Sequence, residues 1–235
     1  MLQKTKGIAL HYYNYSESSV IAKIFTYDFG LQAFMLNGVR QKKAKTKLGL
    51  LHPLNLLDVS FYNKSGSGIK RIKELSLSKA LEKIPYDINR QLMAVFIAEA
   101  LMRVLIENEK DSTLFNYVEV IITELEGADK ISNSLPLSFL LNLSLFLGFY
   151  PSKNNNDFPF FDLQNGCFTK SDFGHNHFIK DEALSNFRSL LLNEKVVFSQ
   201  KERGGLLLIL LDYFKLHHHE LKNLKSHTVI EQLNQ

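Results

Sequence analysis

Five basic side chains fall within a short segment, NGVRQKKAKTKLGLLHP, which runs from Asn37 to Pro53. They are Arg40, Lys42, Lys43, Lys45 and Lys47, with no acidic residue among them and with Gly38 and Gly49 on either side. Flexible basic side chains in such a loop can follow a polyanion backbone and release its counterions without reading a sequence. A solvated loop that keeps the protein soluble would look similar, so the surrounding residues must decide between the two interpretations.

The surrounding residues favour phosphate binding. Four more basic residues follow in the same region, at Lys64, Lys70, Arg71 and Lys73, and aromatic residues are interleaved at Tyr12, Tyr13, Tyr15, Phe25, Phe34, Phe61 and Tyr62. Residues 1–80 contain 13 Lys and Arg against 4 Asp and Glu, a formal charge of +9, whereas residues 81–235 carry −5. Basic groups with interleaved rings are typical of surfaces that bind single-stranded nucleic acid. The charge division predicts this role for the N-terminal part.

Metal and catalytic chemistry find little support in the sequence. Cys167 is the one cysteine, so neither an internal disulfide nor a thiolate zinc cage can form. Cys167, His175 and His177 could supply three zinc ligands, but no fourth ligand has suitable spacing, and we expect no metal there. Three consecutive histidines, 217–219, would point about 100° apart on a helix and are interpreted as a polar helix end. No phosphate-loop, dinucleotide-binding, serine-hydrolase or HExxH motif occurs, so we expect neither catalytic residues nor a cofactor.

Strands are predicted to position the basic loop. Apolar and β-branched residues with turn signals at short intervals predict five strands, over Lys6–Tyr15, Ser19–Thr26, Leu31–Leu36, Leu54–Tyr62 and Ile69–Leu75. Five strands in so short a region favour a small barrel. The basic loop then joins the third strand to the fourth.

Helices are predicted after Pro85, where the spacing of apolar residues changes. They cover 88–108 with Asp87 as N-cap, 113–126 with Ser112 as N-cap, Ser134 to near Gly148, 181–192 and 201–218. Between the third and fourth helices, an Asn165-Gly166 turn predicts a small β-hairpin. The order is therefore all-β and then mostly α, which predicts an α+β protein with a barrel domain followed by a helical domain.

An ordered set of short motifs spans nearly the whole chain. The N-terminal motifs are Lys6-Gly7-Ile8-Ala9-Leu10, Tyr15-Ser16-Glu17-Ser18-Ser19, Phe25-Thr26 with Gly30, Gly38-Val39-Arg40 with the lysine run, Leu48-Gly49 and Pro53. The later motifs are Leu145 with Leu147-Gly148-Phe149-Tyr150-Pro151, Tyr213-Phe214 followed by histidines, and Leu224-Lys225-Ser226. Together these motifs resemble the RecO family of bacterial DNA repair and recombination mediators.

The resemblance implies an N-terminal OB-fold as the nucleic-acid-binding domain, residues 1–80, and a helical domain, residues 81–235. It implies a non-enzymatic mediator that binds single- and double-stranded DNA and anneals complementary strands. With RecR, such a protein helps load RecA onto DNA coated by single-strand binding protein, whose acidic tail it contacts. Many members carry a four-cysteine zinc module where this chain has residues 152–178, and with Cys167 alone we expect a metal-free insertion at that place.

The sequence also gives expectations for the cellular location of the protein, for one partner contact and for alternative functions. The N-terminal residues lack the apolar core of a signal peptide, and we expect a cytoplasmic, nucleoid-associated bacterial protein without membrane contact. Arg90 or Arg103 beside an apolar groove is a candidate site for the acidic tail. The basic loop does not distinguish DNA from RNA, so an OB-fold RNA-binding protein of the translation machinery is the alternative. A nuclease with paired metal-binding carboxylates is a third interpretation.

Overall fold

The computed structural model describes residues 1–39, 41, 48–63, 68–171 and 174–218. These residues form two compact units, divided between Ile131 and Ser132. Six of the predicted binding residues lie outside the described residues, namely Arg40, Lys42, Lys43, Lys45, Lys47 and Lys64. Within the described ranges, no helix has the length and apolar character needed to cross a membrane.

Five strands close into a barrel in the first unit. They are β1 (Leu2–Asn14), β2 (Val20–Thr26), β3 (Gly30–Leu36), β4 (Leu56–Tyr62) and β5 (Ile69–Leu77), with a short 3-10 helix, Leu48–Leu51, before β4. Their order around the barrel is β1-β2-β3-β5-β4. Only β3 and β5 run parallel, and the other neighbouring strands of the barrel are antiparallel. The predicted five-stranded barrel is confirmed, and its topology is OB-like.

The alternation of side chains along each strand fills the barrel. The buried core includes Val20, Ala22, Ile24, Phe34, Leu36, Leu57, Val59, Phe61 and Leu75. The rings of Phe34 and Phe61 meet at its centre, with centroids 5.1 Å apart. The pairing of β1 with β2 shifts between Ala9 and His11. Such an irregularity bends a strand and helps a small sheet to close.

Two helices belong to the same unit as the barrel, α1 (Ile88–Val104) and α2 (Ser112–Gly127). Asp87 caps α1 as predicted, and its carboxylate accepts two backbone N–H groups of the first turn at 2.9 and 3.1 Å. The predicted cap of α2 was wrong by one residue. Asp111, rather than Ser112, accepts the N–H of Leu114 at 2.8 Å, and its negative charge is favourable at a helix N-terminus.

The first helix ends at Val104, before the predicted Asn108. Asn108 has the left-handed φ of 66°, and its N–H donates to the carbonyl of Leu31 in β3 at 3.0 Å. Glu107 forms an isolated bridge with Leu31 and an ion pair with Lys23. The apolar spacing continues past Val104, but hydrogen bonding to the barrel competes with helix formation and ends the helix.

The second unit contains three helices and a small sheet among its described residues. They are α3 (Leu135–Phe146), α4 (Asp181–Leu191) and α5 (Gln200–His217), with β6 (Phe160–Asp162), β7 (Cys167–Thr169) and β8 (Phe178–Ile179) in the order β7-β6-β8. The strands β6 and β7 form the predicted hairpin, and β8 adds a strand that the sequence pattern did not indicate. The predicted α+β fold, with a barrel followed by helices and a small insertion, is confirmed.

Candidate nucleic-acid interface

Three of the predicted binding residues, Lys70, Arg71 and Lys73, lie together on β5. Arg71 and Lys73 are exposed, whereas Lys70 is only 8% exposed. None of the three forms an ion pair with any residue that the structure describes. The strand therefore carries positive charge that no described carboxylate neutralises.

Other basic side chains of the first unit are paired with acids. Lys6 Nζ lies 3.6 Å from Glu119 of α2, and Lys23 pairs with Glu107 in the connection between α1 and α2. Lys110 Nζ lies 3.8 Å from Asp28. These ion pairs join the barrel to the helical residues and neutralise part of the basic charge of the unit, whereas Lys70, Arg71 and Lys73 have no such partner among the described residues.

Lys70 lies on the inner face of the barrel wall. Its Nζ is 5.4 Å from the ring centroid of Phe61 and 5.7 Å from that of Phe29. The ring faces attract the cation, but burial still lowers the pKa of Lys70. A desolvated ammonium without a carboxylate partner in the described residues is unfavourable for folding. Perturbed charged groups of this kind are found preferentially at functional sites.

Replacing Lys70 by Met is expected to stabilise the first unit at pH 7 by about 0.5–2 kcal/mol. The folded-state pKa of Lys70 is lowered, and that of the unfolded chain is about 10.4. Between these values the unfolded state binds more protons, so wild-type stability rises with pH across this window. The advantage of the variant in denaturant unfolding should therefore shrink towards pH 11.

The matched control is Lys73→Met, at an exposed position of the same strand. It should change the free energy of unfolding by less than about 0.5 kcal/mol. If Lys70→Met is no more stable than the wild type at pH 7, the buried ammonium is not a destabilising feature.

The aromatic residues interleaved with the basic ones divide into a core group and a surface group. Phe34 and Phe61 lie in the barrel core, and Phe25 is buried with its ring 5.4 Å from that of Phe115 in α2. Tyr12 is partly buried against the core. Three rings are exposed, Tyr13 at 50%, Tyr15 at 62% and Tyr62 at 44%. Only these three of the seven can present a ring face to a ligand.

The segments that hold the remaining predicted residues leave the barrel at neighbouring strands. The basic loop follows β3, and the segment with Lys64 leads into β5. Parallel pairing of these strands places Phe34 beside Lys70 and Met35 beside Arg71. Both segments are therefore anchored at the strand pair that carries the unpaired charge.

Arg90 is not available to a partner, so its assignment as a candidate site for an acidic tail was wrong. It is 4% exposed, and its guanidinium donates to the carbonyl of Leu125 and, at 2.7 Å, to that of Ala128. These carbonyls lie at the C-terminal end of α2, where a helix has no backbone donors for them. Arg103, the other candidate, forms an ion pair with Glu99 at 3.3 Å.

The described residues of the insertion do not fit a zinc site. Among the described residues, no group of three His, Cys, Asp or Glu side chains is placed to hold a metal ion. Burial and then the nearby Asp162 carboxylate raise the pKa of Cys167, which disfavours the thiolate that zinc requires. His175 Nε2 lies 3.6 Å from Asp162, and its ring stacks on Phe178 at 4.3 Å.

The predicted polar helix end at the three histidines is confirmed for the residues that the structure describes. The helix α5 ends at His217. The Nε2 of His217 lies 2.9 Å from the carbonyl oxygen of Leu163, and its ring stacks on Phe149 at 5.3 Å. His217 is therefore a packing residue within the second unit.

Fold and site together define an α+β protein with an N-terminal OB-like barrel and a basic candidate interface. Residues 1–81 match the family model described as Recombination protein O N terminal, and residues 85–227 match Recombination protein O C terminal. The DNA repair proteins RecO of Phocaeicola vulgatus and Bacteroides fragilis are 35% and 32% identical over 99% of both chains. That of Flavobacterium johnsoniae is 31% identical over 98% of both. The chain belongs to the recombination protein O family, as its motifs predicted.

Proposed function

We propose that this chain is a mediator of DNA repair and homologous recombination that binds single- and double-stranded DNA and anneals complementary strands. The observation that carries the proposal is the set of basic side chains on β5 that no described carboxylate neutralises. Membership of a family whose relatives are named DNA repair proteins supports the biological context. In this proposal residues 1–80 bind DNA, and residues 81–235 supply contacts to protein partners.

Annealing follows from the charge of the barrel. Two complementary strands repel each other through their phosphates, and a surface that binds both lowers this repulsion. Arg71 and Lys73 offer exposed charges to the phosphates of both strands. No bond is made or broken, so annealing requires neither a catalytic residue nor a cofactor.

The partners follow from the proposed role. The chain acts with RecR in the bacterial cytoplasm to load the recombinase RecA on DNA coated by single-strand binding protein. It contacts the acidic C-terminal tail of that protein. These partner contacts are expected outside the β5 surface, because DNA occupies that surface in this proposal.

Substituting Ala for Arg40, Lys42, Lys43, Lys45 and Lys47 together is expected to abolish annealing of complementary oligonucleotides. If all five side chains neutralise phosphates of a single strand, the slope of log K against log salt should lose about 3.5. The measurement is equilibrium binding of a labelled single strand at several salt concentrations, together with the annealing rate. Thermal unfolding first establishes that the variant is folded.

A matched variant removes the same charge from the second unit, at the exposed residues Lys153, Lys170, Lys180, Lys195 and Lys201. It should anneal at close to the wild-type rate. Equal losses in the two variants would mean that net charge alone governs binding. Annealing that survives in the loop variant would restrict the DNA site to β5 and exclude the loop. A wild type that binds RNA far better than DNA would contradict the proposal.

A further inference from the structure

Lateral pairing around the barrel brings five side chains into one row. Tyr13 of β1 pairs with Ile21 of β2, and Ile21 pairs with Met35 of β3. Met35 then pairs with Arg71 of β5, and Arg71 pairs with Tyr62 of β4. We call Tyr13, Ile21, Met35, Arg71 and Tyr62 the outer row. It crosses each strand of the barrel once.

The side chains of the outer row point away from the barrel core. Successive residues of a strand point to opposite faces, and the chain neighbours Tyr12, Ala22, Phe34 and Phe61 contact the core. Tyr13 and Tyr62 are about half exposed, Arg71 is exposed, and Ile21 and Met35 are partly buried between them. The row is thus a shallow apolar strip with a ring at each end and a guanidinium within it.

Neither ring at the ends of the row is covered, and that of Tyr13 packs on a neighbouring ring. His11 contacts the Tyr13 ring edge-on, with centroids 4.5 Å apart and planes at 76°. Tyr62 lies directly beside Arg71, which forms no ion pair with a described residue. Exposed rings beside an unpaired cation favour a ligand that has both flat apolar faces and negative charge.

We propose that the outer row is a platform on which the bases of a single-stranded nucleic acid stack, with Tyr13 and Tyr62 as the stacking rings. Arg71 binds a phosphate between them. The inference rests on the proposed DNA-binding function and adds the residues that receive the bases. The formal charge of +9 on residues 1–80 favours a polyanion over an apolar peptide as the occupant.

The length of the row fits a short stretch of single strand. Four lateral steps of about 4.8 Å give a path of about 19 Å along the surface. At about 3.4 Å per stacked nucleotide this accommodates about five nucleotides. That length lies within the range of about 4–16 nucleotides that one OB-fold binds.

Tryptophan substitution tests the stacking directly, because the chain contains no Trp. Tyr13→Trp and Tyr62→Trp should each bind a twelve-nucleotide oligo-dT with near wild-type affinity, and their fluorescence should be quenched. Tyr86→Trp is the control, since Tyr86 is 85% exposed and lies outside the row. Its fluorescence should stay unchanged at saturating oligo-dT.

Alanine substitution separates stacking from charge. Tyr13→Ala and Tyr62→Ala should each weaken oligo-dT binding about 5- to 150-fold. The salt slope should not change, because neither substitution removes a charge. Each Tyr→Ala variant should bind an abasic strand of the same length with an affinity within about twofold of that of the wild type. Arg71→Gln should weaken the binding of both strands and reduce the slope by about 0.7.

The outcomes distinguish this inference from the function on which it rests. A wild-type protein that binds no single strand contradicts the proposed function itself. Wild-type binding that both Tyr→Ala variants retain, with no quenching in the Trp variants, overturns the stacking platform alone. Equal losses on normal and abasic strands would also overturn it, because the rings would then act through the fold.

Discussion

The substitution Gly30→Ala is expected to destabilise the first unit by about 3–5 kcal/mol, a severe loss for one added methyl group. The measurement is hydrogen exchange of the amides in β2 and β3 under native conditions, supported by thermal unfolding. Exchange of these amides should accelerate by two orders of magnitude or more. Amides of the second unit should keep their wild-type rates.

Two features of Gly30 explain so large an effect. Its φ of +65° lies in the left-handed region, which costs about 1–2 kcal/mol for a residue with a Cβ. A Cβ at this position would also overlap the carbonyl group of Glu109, with the carbonyl carbon 2.5 Å away. The connection between α1 and α2 would have to move, and the hydrogen bond from Asn108 to Leu31 would be strained.

Gly38→Ala separates the conformational effect from the steric one. Gly38 has a φ of +73°, but the nearest atoms to an added Cβ are those of the Gln41 side chain at 3.7 and 3.9 Å. We expect a loss of about 1–2 kcal/mol from the backbone conformation alone. If Gly30→Ala lowers the free energy of unfolding no more than Gly38→Ala does, the packing of Glu109 against the barrel is not important for stability.

The elements of this fold could be predicted because their signals are local. The alternation of apolar and polar residues, the turn residues and the helix caps each act within a few positions of the sequence. The strands, the helices and the Asn165-Gly166 hairpin follow from these signals. The early end of α1 could not be predicted, because the bond from Asn108 to Leu31 joins residues far apart in sequence. The third strand of the insertion, β8, is two residues long, which is too short to show an alternation of apolar and polar residues.

The candidate site was predictable in composition but not in arrangement. Lys70 and Arg71 are adjacent basic residues, yet one lies inside the barrel wall and the other outside it. Which of them points inward depends on the register of β5 against β3 and β4, including the irregularity near Ser60 and Phe61. The outer row depends on pairings around the whole barrel, so no sequence window contains it.

The buried Arg90 illustrates the same limit in the helical residues. Arg90 lies in the first turn of α1, where the sequence alone does not decide whether an arginine faces the surface or a neighbouring helix. The carbonyls that it satisfies belong to α2, some 35 residues further along the chain. A basic side chain on a helix therefore predicts a binding site only when no helix terminus lies within its reach.

The substitution Asp162→Asn is expected to loosen the insertion by about 1.5–3 kcal/mol, the range for hydrogen bonds to a charged group. Hydrogen exchange of the amides in 160–169 should accelerate at least tenfold, with the barrel amides unchanged. Asp162 is 1% exposed and accepts the backbone N–H groups of Gln164 and Asn165 at 2.8 and 3.1 Å. It also accepts the Asn165 side-chain amide at 2.6 Å.

These bonds make the stability of the insertion depend on pH. Burial works to raise the pKa of Asp162, but the hydrogen bonds from Asn165 and Gln164 and the nearby His175 outweigh it, so the pKa is lowered. The carboxylate stabilises the fold fully above its unfolded-state pKa of about 3.9. This contribution is lost as the pH falls through the lower folded-state value. Acid should therefore lower the amide protection factors of the wild-type insertion more than those of Asp162→Asn.

Asp157→Asn provides the matched control, since Asp157 is an exposed carboxylate of the same segment. Its exchange rates and acid sensitivity should equal those of the wild type. Identical behaviour of the two variants would mean that Asp162 does not hold the hairpin. A selective effect at Asp162 would show that one buried carboxylate, which accepts the donors of the turn between β6 and β7, organises the insertion.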